Sequence, residues 1–258
     1  MYKKFVGMHL KTSLEFRMNT IMIIISQLFI SFGELISIYL MFKRFESVGE
    51  WGFYESALMF GLITTIFSFC ECFARGYDDF ATLVKNGELD RMLIRPVNIH
   101  KQIFGSKIEF VKLFKTLLGL IVTIIALSNI NVSWNVYKVL VLLSAFICGD
   151  FVILGVFMVS AGISIYTINN LEFLNIITDG SKELAYYPLN IYKKWLTRIF
   201  TFVIPIACFN YLPLSFITGK GSVPMWLCGI SPLFGMLFFI PCLLFFNFSL
   251  KKYQGTGT

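Results

Sequence analysis

The chain has 258 residues, of which 57% are hydrophobic and only 14% are charged, and its formal net charge is +7. The mean hydropathy of +0.74 is far above that of soluble domains, and no hydrophilic stretch is long enough to form a second, soluble domain. We therefore expect a single membrane domain over residues 1–258. The basic residues follow the charge pattern of the loops of a membrane protein and form no separate basic surface, which argues against nucleic-acid binding.

Six apolar runs divide the chain. Each has about 18 or more residues with almost no charge, which is enough for an α-helix to cross a hydrocarbon layer of ~30 Å. The sequence therefore predicts an all-α polytopic membrane protein with six transmembrane helices. The runs are residues 18–42, 54–74, 113–130, 139–166, 195–217 and 225–250.

The Lys and Arg residues are concentrated at both termini and in every second gap between the runs. Because cytoplasmic loops carry an excess of positive charge, we expect a multi-pass protein with both termini in the cytosol. The same rule places two loops, 75–112 and 167–194, in the cytosol. The four exceptions among the 22 Lys and Arg residues are Lys43, Arg44, Lys138 and Lys220.

An amphipathic helix is predicted over residues 1–17, before the first span. Apolar residues such as Phe5, Leu10 and Phe16 alternate there with Lys and other polar residues. We expect this helix to lie in the cytosolic interface of the membrane. A disordered tail is the alternative.

The longest and most charged gap, 75–112, contains a short amphipathic helix. Leu89, Met92 and Leu93 would share one face of it, and Pro96 would end it. An apolar ridge with charged flanks below the membrane suits docking to a soluble partner. A helix that only caps the bundle at the membrane surface is the alternative.

Prolines interrupt the last two runs. Pro205 and Pro213 lie in the fifth run, and Pro232 and Pro241 lie in the sixth, so both helices should be kinked. A turn rich in Gly and Pro, residues 218–224, joins the two runs on the outer side. This arrangement allows re-entrant half-helices at the outer surface, between spans five and six.

The sequence lacks the motifs of several enzyme classes. It contains no phosphate-binding loop, and its two histidines, His9 and His100, lie far apart in the chain. Cys70 and Cys72 form a C-x-C pair without a second pair, which is poor spacing for zinc. We therefore expect no metal site and no catalytic residues, and we interpret the six cysteines as small apolar packing residues.

Three carboxylates fall within or beside the apolar runs: Glu34, Glu71 and Asp150. A charge at bilayer depth is costly unless it is paired, hydrated or protonated, so these residues mark a candidate translocation path. They leave open an alternative function, a proton-coupled secondary transporter. The structural alternative is that Glu71 lies near the interface, while Glu34 and Asp150 form hydrogen bonds within the bundle or line a wet cavity.

Three segments resemble motifs of one known family. Residues 87–98, GELDRMLIRPVN, resemble the G-x-L-D-x-x-L-x-R-P-x-N segment of ABC transporter permeases of the type 2 exporter class. Residues 187–213 look like a second block of that family, with Lys193 where a proline is common, and residues 252–258 resemble its short tail. Three motifs in the right order make the resemblance specific.

The resemblance implies a permease subunit of an ABC exporter that is not itself an ATPase and binds no cofactor. It would pair with a second six-span permease, either a paralogue or a second copy, and with two ABC ATP-binding subunits that hold ATP and Mg. Lying among membrane lipids, it would export a drug, peptide or lipid across the bacterial plasma membrane.

The resemblance also implies roles for particular residues. A coupling helix in the loop 75–112 would contact the ATPase, and further motif residues would have structural roles. The coupling residues are Gly87, Leu89, Asp90, Met92, Leu93, Ile94, Arg95 and Pro96. The structural motif residues are Asn98, Tyr187, Pro188, Tyr192, Trp195, Pro205, Asn210, Tyr211 and Pro213.

Overall fold

The structure, a computed structural model, describes residues 2–45, 47–167, 171–221 and 223–253, without the side chains of residues 2–4 and 171–177. The described residues form helices joined by short turns, with one isolated β-bridge between Val48 and Trp51. The predicted all-α fold is confirmed. The α-helices are α1 Tyr2–Glu15, α2 Arg17–Phe45, α3 Phe53–Asp78, α4 Phe80–Lys85, α5 Glu88–Ile94, α6 Ile99–Ser106, α7 Lys112–Asn129, α8 Val136–Ser164, α9 Leu171–Leu184, α10 Lys194–Arg198, α11 Ile206–Phe209, α12 Tyr211–Thr218, α13 Met225–Leu237 and α14 Phe239–Lys251.

Five helical segments are long and apolar enough to cross a membrane, and they correspond to five of the six predicted runs. A sixth candidate is a bent pair of helical segments, Lys194–Val203 and Ile206–Thr218, whose directions differ by 75°. The five segments are Arg17–Phe45, Phe53–Lys85, Lys112–Asn129, Val136–Ser164 and Met225–Lys251.

α3 is the central helix of the bundle, and it packs most extensively against α7. A Cβ added to Gly61 of α3 would lie 2.5 Å from the hydroxyl of Thr123, and one added to Gly119 of α7 would lie 2.5 Å from that of Thr65. Each threonine donates its hydroxyl to the carbonyl of the glycine four residues before it, at 2.7 and 2.8 Å. Small residues four apart on both helices thus let the two backbones approach closely, as is common within membranes.

The two ends of the bundle differ in their connections. We call the end with the short connections 47–52 and 130–135 the turn end. The opposite end carries residues 79–111, and we call it the loop end.

The chain after α8 runs from the loop end to the turn end. Its contacts with α3 move from the middle of that helix towards its N-terminus and then beyond it, to the turn between α2 and α3. The contacts are Lys182 Nζ over the ring of Phe67 at 5.4 Å, the rings of Tyr186 and Phe60 with centroids 4.8 Å apart, and Asn190 Nδ2 at 3.2 Å from a Cβ built on Gly49.

The prediction that residues 167–194 form a loop at the same end as residues 75–112 is therefore wrong for residues 182–194. Asp179, Lys182 and Glu183 lower the hydropathy of this segment, so it does not read as a span, although Lys182 is buried. Because the buried side chain of Lys182 is polar, the hydropathy of the sequence does not show that this segment lies inside the bundle. Residues 168–170 of this prediction lie outside the described residues.

The fifth apolar run, 195–217, is not one span but the bent pair. It starts just after Asn190 at the turn end. At Val203 it has reached deep into the bundle, because Val203 lines the same pocket as Val156, which lies past the middle of α8 as counted from the turn end. It then returns to the turn end, where Lys220 forms an ion pair with Glu55 at the start of α3. The pair is thus a re-entrant hairpin at the turn end, which we call the hairpin (residues 194–218). Re-entrant half-helices were expected between spans five and six, but the chain folds back at 204–205 rather than at 218–224.

Prolines account for the helix breaks. A proline has no N–H to donate to the carbonyl four residues before it. α11 ends at Phe209, four residues before Pro213, and α13 ends at Leu237, four residues before Pro241. Pro232 lies inside α13 without ending it, and the hydroxyl of Ser231 donates instead to the carbonyl left without that partner, Cys228 O, at 2.8 Å.

The predicted N-terminal helix is present as α1, and it packs against α6. A Cβ on Gly105 of α6 would lie 2.8 Å from the ring of Phe5, and His9 Nε2 lies 3.1 Å from the carbonyl oxygen of Gly105. α1 therefore lies at the loop end. Its position in a lipid interface stays a prediction.

Candidate functional site

The loop end carries three short helices, α4, α5 and α6, between α3 and α7. Gly87 opens α5 with φ of +66°, a left-handed conformation that glycine adopts without strain. Arg95 is extended because the residue before a proline avoids the helical region, so α5 ends before Pro96. Asn98 Oδ1 accepts a backbone N–H of the first turn of α6 at 2.9 Å. Residues 87–98 thus encode a turn, a helix, a stop and a cap.

One face of α5 is anchored in the bundle. Leu89 has no exposed surface, and Met92 packs against the core. Gln102 of α6, which is 3% exposed, donates from Nε2 to the carbonyl oxygens of Met92 at 2.9 Å and Val97 at 3.0 Å. These contacts fix the position of α5 relative to α6.

The other face of α5 is open. Ile94 is 83% exposed and Leu93 is 48% exposed. Arg91, Arg95 and Pro96 beside them are also exposed. We call these five residues the α5 tip, which combines apolar side chains with two guanidinium groups.

The predicted exposed ridge of Leu89 and Leu93 is wrong for Leu89. The two leucines are four residues apart on α5, but Leu89 is covered by the core of its own chain. The exposed apolar pair is Leu93 and Ile94 instead. Asp90 is half-buried in the first turn of α5, where its carboxylate complements the positive end of the helix dipole.

A network of ion pairs joins the loop end to the long helices. Glu71 of α3 binds Arg75 Nη1 at 3.1 Å and Lys112 Nζ, at the start of α7, at 2.9 Å. Lys107, in the segment before α7, lies 2.8 Å from the carboxylate of Asp79. Glu71 is only 6% exposed, so its pairs are screened little by solvent. Pairing of Glu71 near the end of a span agrees with the structural alternative for this residue.

His100, for which no sequence motif indicates a role, links α6 to two spans. The ring nitrogen Nδ1 of His100 lies 2.6 Å from the hydroxyl of Tyr77 in α3, and Nε2 lies 3.0 Å from Oδ1 of Asn247 in α14. His100 therefore bridges α3, α6 and α14. No motif in the sequence indicates this bridge, because its members are up to 170 residues apart in the chain.

The remaining two carboxylates have different surroundings. Glu34 Oε2 accepts the hydroxyl of Tyr186 at 3.1 Å and lies 4.0 Å from Nζ of Lys115, which is 7% exposed. The expected hydrogen bond of Glu34 within the bundle is therefore present. Among the described residues, Asp150 Oδ1 is buried without a hydrogen-bond partner, beside Cys70.

The second family-like block stabilises the hairpin through hydrogen bonds to backbone. Asn210, between α11 and α12, donates from Nδ2 to the carbonyl of Ala185 at 2.6 Å, and Tyr192 donates its hydroxyl to the carbonyl of Leu184 at 3.0 Å. The ring of Tyr211 packs 5.4 Å from that of Trp51. The remaining members are Pro188 and Pro213, which are buried, Pro205, which precedes α11, Tyr187, which is half-buried, and Trp195, which is exposed.

The cysteines are packing residues, as predicted. All six are free and buried. Within the described ranges, no group of three or more His, Cys, Asp or Glu side chains is arranged to hold a metal ion.

These features define an α-helical, polytopic membrane protein with a docking-like segment at one end and a re-entrant hairpin at the other. A model of the ABC-2 family of transporter proteins matches residues 28–257, which is most of the chain. The chain belongs to this family, which indicates a membrane subunit of an ABC transporter. Neither the curated proteins nor the solved structures compared with the chain gave a match.

Proposed function

We propose that this chain is the permease subunit of an ATP-driven exporter in the plasma membrane of a bacterium. It works with a second six-span permease and two ABC ATP-binding subunits, and it moves a hydrophobic or amphipathic substrate, such as a drug, peptide or lipid, out of the cytosol. Membership of the ABC-2 family supports a role as an ABC transporter subunit. The observation that carries the coupling proposal is the α5 tip.

The α5 tip suits a soluble protein partner. Exposing an apolar side chain such as Ile94 to water is unfavourable, so covering it with a partner surface would be favourable. Arg91 and Arg95 beside it can form charge-assisted hydrogen bonds with carboxylates of a partner. The buried face of α5, with Leu89, holds the tip in place rather than forming part of the contact.

Three links can pass a movement of α5 to the spans. Gln102 ties α5 to α6, and His100 ties α6 to α3 and α14. Lys112 and Glu71 tie the start of α7 to α3. When the ATP-binding subunits close on nucleotide, they would pull the α5 tips of two permeases together. The permeases would then shift between cytosol-open and outward-open states.

We place the loop end and both termini in the cytosol. α1 packs on α6, and Asn247 near the end of α14 contacts His100, so the first and last described helices both reach the loop end. The loop 75–112 is rich in Lys and Arg, as cytoplasmic loops are. ATP and Mg would bind to the ATP-binding subunits, and this chain would hold neither.

The open face of α2 supports contacts with lipid and with a second permease. Phe29 is 79% exposed, and Ile25 and Ile30 are each 57% exposed. Side chains of this kind on a spanning helix can face acyl chains or another membrane subunit.

The experiment is a pull-down of the ATP-binding subunit with the double variant Leu93→Asp and Ile94→Asp. Both residues are exposed, so the permease should insert and fold normally while ATPase recovery falls about 100-fold or more, as expected from losing the burial of two aliphatic side chains. The matched control is Met8→Asp with Leu14→Asp, two exposed apolar residues of α1 at the same end. Stoichiometric recovery of the ATPase by the first variant would contradict the proposal.

The buried, unpartnered Asp150 Oδ1 keeps the proton-coupled carrier as the second candidate. The two candidates differ in their energy source. Transport by an ATP-driven exporter should continue when a protonophore collapses the proton gradient while ATP is maintained. Loss of transport under that condition, together with loss in Asp150→Asn, would favour the carrier.

A further inference from the structure

The two arms of the hairpin and α13 line an open cavity of about 620 Å³. This volume lies in the range of sites that hold small organic ligands. The lining is almost entirely apolar or aromatic. It includes Thr201, Pro205, Leu212, Leu227, Phe234 and Phe238.

Three hydroxyls of the cavity lining, those of Thr197, Thr201 and Ser231, are already used within the chain. Thr201 donates its hydroxyl to the carbonyl of Thr197 at 2.8 Å, and Thr197 donates to the carbonyl of Leu189 at 3.2 Å. The hydroxyl of Ser231 donates to the carbonyls of Cys208 and Cys228, at 3.0 and 2.8 Å. The interior of the cavity therefore offers methyl and methylene surface, which suits a hydrocarbon chain.

The start of the hairpin is strongly cationic. Lys193, Lys194 and Arg198 are all exposed, and none of them forms an ion pair with a carboxylate among the described residues. The sequence contains no Asp or Glu after Glu183. Lys194 and Arg198 are four residues apart on α10 and flank Thr197, whose side chain lines the cavity. Two positive charges thus lie on the short helix that contributes Thr197 to the wall of the cavity, and we call this side of the cavity its entrance.

The tryptophans place this entrance at the level of lipid headgroups. Trp51, Trp134 and Trp226 lie at the turn end, in the connections 47–52 and 130–135 and at the start of α13. Trp134 and Trp226 are exposed, whereas Trp51 is buried in the core. Trp195 directly follows Lys194 and is 60% exposed. All four tryptophans of the chain therefore lie at one end of the bundle. Tryptophan is typical of the membrane interface, where lipid phosphates lie.

We infer that the hairpin binds an anionic phospholipid of the leaflet at the turn end, with an acyl chain in the cavity and the phosphate against Lys194 and Arg198. At the turn end these cations lie beside an apolar cavity, whereas at the loop end Lys107 and Lys112 are paired with Asp79 and Glu71. The site needs only this chain. Its failure would leave the coupling proposal untouched.

The test uses the full chain in phosphatidylcholine vesicles that contain a small fraction of a probe lipid with a photoactivatable group in its acyl chain. The probe is either phosphatidylglycerol or phosphatidylcholine with identical chains. After irradiation, mass spectrometry locates the labelled peptides. We expect phosphatidylglycerol to label the segments 201–212 and 227–238 more strongly than phosphatidylcholine does.

Two variants make the test decisive. Lys194→Gln with Arg198→Gln should reduce phosphatidylglycerol labelling of these segments by about fivefold per charge removed, the attraction expected between one Lys or Arg and an anionic membrane surface. Leu227→Trp should fill the cavity and reduce labelling by both probes.

The control is Lys251→Gln with Lys252→Gln, which removes the same charge at the end of α14 and should leave labelling of the hairpin unchanged. Equal labelling by the two probes in the unmodified chain would overturn the proposal. So would unchanged phosphatidylglycerol labelling in the variant of Lys194 and Arg198, or an absence of label in the two segments, as would occur if a second permease covers this face.

Discussion

The loop end and the hairpin are stabilised in opposite ways. At the loop end, charged side chains pair with one another, as Glu71 does with Arg75 and Lys112. In the hairpin, neutral side chains such as Asn210 and Thr201 donate to backbone carbonyls, and the cations at its start have no carboxylate partner among the described residues. Ion pairs between side chains thus contribute to the loop end, whereas hydrogen bonds from neutral side chains to backbone carbonyls hold the hairpin, which folds back within the apolar bundle.

The largest expected difference between the two regions is their accessibility from outside the cell. The variants Lys85→Cys and Lys193→Cys replace two exposed lysines that the charge pattern alone assigns to the same side. Because residue 193 lies at the turn end, a membrane-impermeant maleimide should label only Lys193→Cys in intact cells. The native cysteines are buried, so the background should be low. Labelling of both variants, or of neither, would contradict the placement of residues 85 and 193 on opposite sides of the membrane.

The ionic character of the loop end is tested by Lys112→Met. This change leaves Glu71, with a side chain 8% exposed, with one cation instead of two. Breaking a buried ion pair costs about 3–5 kcal/mol, so the Tm in detergent should fall by roughly 10 °C. The control, Lys101→Met, removes an exposed lysine of α6 and should change the Tm little. An unchanged Tm for Lys112→Met would mean that the network contributes nothing to stability.

The hydrogen bonding of the hairpin is tested by Asn210→Ala. Asn210 is 2% exposed, and its removal leaves the carbonyl of Ala185 without its described side-chain donor. We expect a loss of about 1–3 kcal/mol in the free energy of unfolding. Asn131→Ala, an exposed asparagine in the connection between α7 and α8, should change it by less than about 0.5 kcal/mol. Equal effects of the two variants would show that the hydrogen bond of Asn210 does not contribute to the free energy of unfolding.

Much of the fold could be predicted because hydropathy and charge are local properties. Five of the six runs correspond to spanning segments, and Gly87, Pro96 and Asn98 encode the turn, stop and cap of the coupling segment in a few consecutive residues. The family resemblance rests on short local motifs such as residues 87–98, and it is confirmed.

The rest could not be predicted because it depends on contacts between distant residues. Lys182 looks like a loop residue in the sequence, but it packs over Phe67 inside the bundle. Leu89 and Leu93 are equally apolar, and only the packing of α5 decides which one is exposed. The bridge of His100 to Tyr77 and Asn247 joins residues from three parts of the chain.

The most direct test of the account is a cysteine crosslink between the α5 tip and the ATP-binding subunit. Ile94→Cys places a thiol at the more exposed of the two apolar positions of the tip, and Ile191→Cys places one at a residue near the turn end that is 46% exposed. With a short bifunctional maleimide in the assembled transporter, Ile94→Cys should crosslink to the ATP-binding subunit and Ile191→Cys should not. A crosslink from Ile191→Cys, with none from Ile94→Cys, would contradict the central claim that the α5 tip is the coupling surface.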